Sequence, residues 1–79
     1  MSRKHLPLPD TDAVAVAKEI GWARVALERE GRRPTTVQLS PALWDLIRPM
    51  WGSSEVRALV GLLAVRDETV ERFEIRCRE

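Results

Sequence analysis

Few side chains in this 79-residue chain are of a type that does chemistry on a bound molecule, and their spacing argues against most such chemistry. The only histidine, His5, precedes Leu6-Pro7-Leu8-Pro9, and the only cysteine, Cys77, falls in the alternation Phe73, Ile75, Cys77. A nucleophilic thiol needs a base within reach or a neighbour that lowers its pKa. Cys77 has no evident base, and its alternation marks it as a core-facing strand residue. No cluster of His and Cys at metal-ligand spacing exists, so no metal and no cofactor is expected. Asp67 and Glu68 are adjacent carboxylates, but beside Thr69 they read as turn formers instead of an acid/base pair. A Gly-rich phosphate loop is also missing. The expectation is a protein that is not an enzyme.

Residues suited to recognition are better represented, in two sets. The first is basic: Arg3 and Lys4 near the N-terminus, and Arg32 and Arg33 in Gly31-Arg32-Arg33-Pro34. Such residues can grip phosphates, but thirteen basic against twelve acidic residues leave a net charge of +1, so nothing draws in nucleic acid at long range. Arg32 and Arg33 read first as a solvated turn. The alternative they support is a small nucleic-acid-binding regulator, which a steep salt dependence of binding would identify. The second set is apolar. Leu6 and Leu8 lie on an extended arm, and Val14, Trp22 and Val25, with Arg29, lie on the outer side of the first helix.

That helix is expected from about Thr11 to Glu30. Asp10 or Asp12 can cap it, and Gly31 and Pro34 supply the stop. At 100° per residue Ala13, Val16, Ala17, Ile20, Ala23 and Leu27 share one face, the face that should lie on a sheet. Val14, Ala15, Trp22, Val25 and Ala26 fall roughly opposite, interrupted only by Lys18 and Arg29. A solitary surface helix would be polar there. An apolar outer face carrying a tryptophan resembles an interface anchor, unless Trp22 covers loops or the arm of its own chain. Arg24, near the edge of the core face, is placed to snorkel or to pair with Glu28 one turn on.

Thr35 to Trp51 is the best-specified packing unit. Val37 and Leu39 alternate with Thr36 and Gln38, which predicts a half-buried strand. Ser40 is a helix cap and Pro41 a first helical residue. Leu43, Trp44, Ile47 and Trp51 then form one stripe, with Trp44 expected to be buried between this second helix and the sheet. Pro49 ends or kinks the helix. Beyond it, Val56, Leu59, Val60, Leu62 and Leu63 would suit a longer helix, but Gly61 favours a short helical turn from Ser53 or Ser54 through Leu59 that it ends. A buried strand Leu62-Leu63-Ala64-Val65-Arg66, the turn Asp67-Glu68-Thr69 and a strand from Val70 to Arg78 then form a C-terminal hairpin. The charged outer face of that last strand is a normal guard against edge pairing.

The fold class is therefore α+β, in the order α-β-α-β-β, with the long N-terminal helix on a small, mostly antiparallel sheet. Residues 1–9 form the arm and 10–79 a single domain. Hydrophobic residues at 44% and charged residues at 32% suit a globular domain, though one of marginal size. One cysteine excludes an internal disulfide. No apolar run is long enough for a signal sequence or a membrane span, so a cytoplasmic or virion-associated protein is expected, with no membrane partner.

The run from Thr36 to Ile75 has a strand, Ser40-Pro41 opening a helix that carries Trp44, then Gly61, a short apolar strand, an acidic turn and a closing Phe-x-Ile strand. In this it resembles small phage-encoded proteins of unknown function. The resemblance covers about half the chain, implies a virion or prophage setting, and transfers no active-site residue. The function expected is a non-catalytic structural or interaction module that self-associates as a homo-oligomer or docks on a larger protein partner.

Overall fold

The computed structural model describes residues 12–52 and 57–78. Helix α1 spans Ala13–Arg29 and starts where Asp12 Oδ1 accepts the backbone N–H groups of Val14 and Ala15 at 3.0 and 3.3 Å. Its end is a Schellman turn. The Arg32 N–H donates to Leu27 O and the Gly31 N–H to Glu28 O, which satisfies carbonyls the helix leaves over. Strand β1, Arg33–Leu39, leads into helix α2, Pro41–Ile47, whose Ser40 cap accepts the Leu43 N–H. Pro49 cannot continue the helix, and Arg48–Trp51 tighten into a 3-10 turn that stops at Gly52. Strands β2, Ala58–Leu59, β3, Leu62–Arg66, and β4, Phe73–Arg78, complete the chain.

The sheet order is β2-β3-β1-β4. β1 runs parallel to β3, with α2 in the connection between them, and antiparallel to β4; β2 and β3 are antiparallel. The class read from the sequence, an α+β domain with its long first helix on a small, mostly antiparallel sheet, is the one observed. Its last two strands, however, do not pair with each other. β3 already has β2 on one edge and β1 on the other, so β4 takes the remaining edge of β1. The Asp67 N–H donates to Leu39 O and the Ser40 N–H to Arg72 O, so both ends of the connecting loop are tied to the end of β1. Val70 to Arg72 belong to this loop and not to the strand.

The hairpin in the chain is instead β2-β3. Ala58 and Leu59, expected in a helical turn, form its first strand, while 53–56 lie outside the described residues. Its loop is Val60-Gly61, with φ of 45° and 80°. Two positive values in a two-residue loop are the signature of a type I′ turn, which matches the twist of the flanking strands. Gly61 suits this conformation; Val60, being β-branched, is strained in it. Arg24 braces the strained residue. Its Nη1 donates to Val60 O at 2.7 Å while its Nε pairs with Glu28, so the expected snorkelling and pairing both occur.

The core lies between one face of the sheet and the two helices. Val16 and Ile20 of α1, Leu43 and Ile47 of α2, and Val37, Leu39, Leu59, Leu62 and Ala64 of the sheet are all buried. Phe73 and Ile75 of β4 pack against its rim. Because helices cover only one face, β3 is not buried on both sides as its apolar run suggested. Leu63 is 55% exposed on the open face, where Ala58 of β2 and Thr36 of β1 flank it in register.

Trp44 also departs from expectation. It is half-buried at the edge of the core instead of enclosed by it. Its ring meets Trp51 at 5.1 Å in a tilted arrangement, and the Arg57 guanidinium lies over both rings, 5.9 and 5.4 Å from their centres. The stripe Leu43, Trp44, Ile47, Trp51 thus splits. Leu43 and Ile47 reach the sheet, and the two tryptophans stack beside it under a cation.

Candidate interaction surface

The outer face of α1 is held in place from the opposite side. Ile20 and Val16 anchor the helix in the core, Arg24 ties it to the β2-β3 turn, and Glu19 receives a two-pronged ion pair from Arg72 at 2.7 and 2.6 Å. With these residues fixed, Val14, Lys18, Trp22, Val25 and Arg29 must point to solvent, at spacings that keep them in one stripe. Trp22 is 71% exposed, Val14 56% and Val25 44%. None of the described residues buries Trp22, so the described loops of its own chain do not cover it. Val14, Trp22, Val25 and Arg29 are brought together on one rigid helical face. Leu6 and Leu8 lie outside the described residues, so nothing is added about the arm.

The basic set fares differently. Arg3 and Lys4 lie outside the described residues, while Arg32 and Arg33 are exposed where α1 turns into β1. Arg33 stands in register beside Arg78 of β4, which places two like charges side by side at that end of the sheet. This pairing across 45 positions of sequence was not legible before folding.

Of the side chains weighed for chemistry, His5 lies outside the described residues. Cys77 is a free, half-buried thiol on β4. Asp67 builds the turn expected of it. Its Oδ1 accepts the Thr69 hydroxyl and N–H at 2.6 and 2.9 Å, and its Oδ2 accepts from Gln38 Nε2 at 2.8 Å. The Thr69 hydroxyl first and then its N–H hold the Asp67 carboxyl below its ordinary value of 3.8, against an opposing effect of desolvation and with a last, smallest contribution from the Arg76 charge. Gln38 also accepts from Arg76 Nε at 2.7 Å, so Asp67, Gln38 and Arg76 form a ladder across the open sheet face. Sequence reading missed this ladder and the Trp44-Trp51-Arg57 stack. The seven-residue spacing of the two tryptophans was the available signal for the stack; the ladder, which joins three separate segments, had none.

Among the described residues, no helix is long and apolar enough to cross a membrane. No protein-family model, curated protein or solved structure matches the chain. What the geometry itself defines is a small two-layer α+β domain whose largest exposed aromatic, Trp22, stands on the helix that covers its sheet.

Proposed function

We propose that this chain is a non-catalytic structural or protein-interaction module that associates, with itself or with a larger protein partner, through the outer face of α1. The observation that carries this reading is the exposure of Trp22 between Val14 and Val25 on a helix whose other face is fixed in the core. An exposed tryptophan among small apolar side chains contributes little to a monomer, whereas aromatic anchors contribute most once desolvated at the centre of a contact. Lys18 and Arg29 lie in the same stripe, so the matching surface would be apolar at its centre with acidic groups at its rim. The resemblance to small phage-encoded proteins adds an assembly or accessory role in a phage or prophage as the setting.

The test is the Trp22→Glu variant. It leaves folding intact, because position 22 is exposed, and removes association through α1, because a carboxylate buried without a partner is costly. Sedimentation reads association and circular dichroism reads the fold. A wild type that stays monomeric at high concentration and ignores every candidate partner overturns the reading.

A further inference from the structure

The two edges of the sheet are treated differently. At the β2 edge, Ala58 and Leu59 are the whole strand, and the outward carbonyl of Ala58 accepts the Trp51 indole N–H at 2.7 Å. A short strand with a side chain on its exposed carbonyl is a blocked edge. The β4 edge is longer, Phe73–Arg78, and among the described residues no strand lies beside it.

The direction of the backbone groups on β4 can be worked out. The Arg72 carbonyl accepts the Ser40 N–H, and the Arg76 carbonyl accepts from the Thr35 hydroxyl at 3.4 Å, so both face β1. Residues of an antiparallel strand alternate between facing the partner strand and facing away. Glu74, Arg76 and Arg78 therefore direct their backbone groups to β1, and Phe73, Ile75 and Cys77 direct theirs outward. From this we infer that the β4 edge is a self-pairing surface, on which a second copy adds its own β4 antiparallel about a twofold axis at Ile75, continuing the sheet from one copy into the other.

Charge selects the register. With Ile75 opposite Ile75 of the second copy, the outward-facing residues pair as Phe73 with Cys77 and Ile75 with Ile75, in hydrogen-bonded positions. Glu74 then stands opposite Arg76 twice, in the non-hydrogen-bonded positions where side chains come closest. Moving the axis to position 76 or 74 sets Arg76 against Arg76 or Glu74 against Glu74, and like charges directly opposite are destabilising. At the two ends of the pairing the chosen register sets Arg78, the last strand residue, opposite Arg72, a like-charge pair offset by the bond of Arg72 to Glu19. Within one chain Arg76 reaches Glu74 only at 4.0 Å and its charge also acts on Asp67, but both Glu74 and Arg76 are exposed and can face a second copy. Gln38 holds Arg76 Nε and so fixes the guanidinium on the open face. Alternating charge on an edge strand usually guards against pairing; here the alternation is self-complementary about Ile75, the register that also overlaps the whole of β4. On the other face, half-buried Phe73, Ile75 and Cys77 extend the core across the axis.

This interface is separate from the Trp22 face, and the experiment keeps them apart. Wild type is expected to sediment as a dimer, and on raising its concentration amide exchange should slow at Phe73, Ile75 and Cys77, while Glu74 and Arg76 amides are slow in the monomer already. Glu74→Arg and Arg76→Glu should each weaken the dimer by about tenfold or more, since each turns two opposite-charge pairs into like pairs. The double reversal should restore it, and Trp22→Glu should leave it unchanged. Should a single-reversal variant fail to fold, the exchange pattern of the wild type decides. A chain monomeric at millimolar concentration, or a dimer without new protection at Phe73, Ile75 and Cys77, overturns the inference. A dimer dissolved by Trp22→Glu and indifferent to both reversals overturns it too, and leaves the α1 face as the interface.

Discussion

Gly21→Ala should stabilise this domain, and the size of the gain follows from two numbers. Gly21 lies midway along α1, where glycine is roughly 0.8 to 1.0 kcal/mol less favourable than alanine because it loses more backbone freedom on folding. Whether the substitution realises that gain depends on what a methyl group would meet. A Cβ built at Gly21 lies 3.7 Å from Val60 Cγ1 and 4.0 Å from Val60 Cβ, an ordinary van der Waals contact, so nothing has to move. The new contacts add only about 0.1 to 0.2 kcal/mol per atom pair. The expected gain is therefore about 1 kcal/mol, equivalent to a rise in Tm of roughly 4 to 8 °C for a domain of this size. Urea unfolding followed by far-UV circular dichroism measures it, and an unchanged m-value shows that only stability moved. Gly21→Val is the companion variant. Its extra methyl groups extend toward Val60, which the turn holds at positive φ and Arg24 fixes by its carbonyl, so overpacking should cost about 1 to 3 kcal/mol. If Gly21→Ala is destabilising by more than about 0.5 kcal/mol, beyond the range of neutral surface changes, then α1 and the β2-β3 turn pack more tightly than described and the reasoning fails.

Two further outcomes are expected. Trp44→Ala should cost roughly 1.5 to 3 kcal/mol, below the 3 to 5 kcal/mol of a fully enclosed aromatic, because Trp44 is half-buried and loses mainly its contacts with Trp51 and Arg57; a urea-unfolding loss under about 1 kcal/mol would show that the stack contributes nothing. Thr69→Val should raise the Asp67 pKa toward its ordinary value, as read by NMR titration of the carboxyl, since the Thr69 hydroxyl is the largest cause of its depression. As the native carboxyl titrates below the unfolded one, its stabilising contribution is present above pH 4 or so and is lost as pH falls through the native pKa. In Thr69→Val that acid-side loss should shrink, and an unmoved Asp67 pKa would refute the assignment.

Local chemistry alone determined a good part of this molecule. Ser40 marks the start of the second helix and Asp10 or Asp12 that of the first, Gly31 and Pro49 mark where the helices end, and period-two alternation in 36–39 and 73–77 gives two strands, because caps, breakers and periodicity act within a few residues. The apolar outer face of α1, with Trp22 on it, was likewise legible from helical spacing. Which strands pair was not. β4 lies beside β1 and not β3 because a two-residue turn had already filled the other edge of β3. That turn depends on Val60 accepting a strained conformation that no propensity would assign to a valine, with Arg24, 36 positions away, bonded to its carbonyl. Leu63 read as buried because its neighbours are apolar, yet helices cover only one face of the sheet and leave it in solvent. The Trp51 plug at one edge and the self-complementary charges on the other became visible only once register fixed which backbone groups face outward. Hydrogen-bond direction in a sheet is a property of pairing, and no single strand carries it.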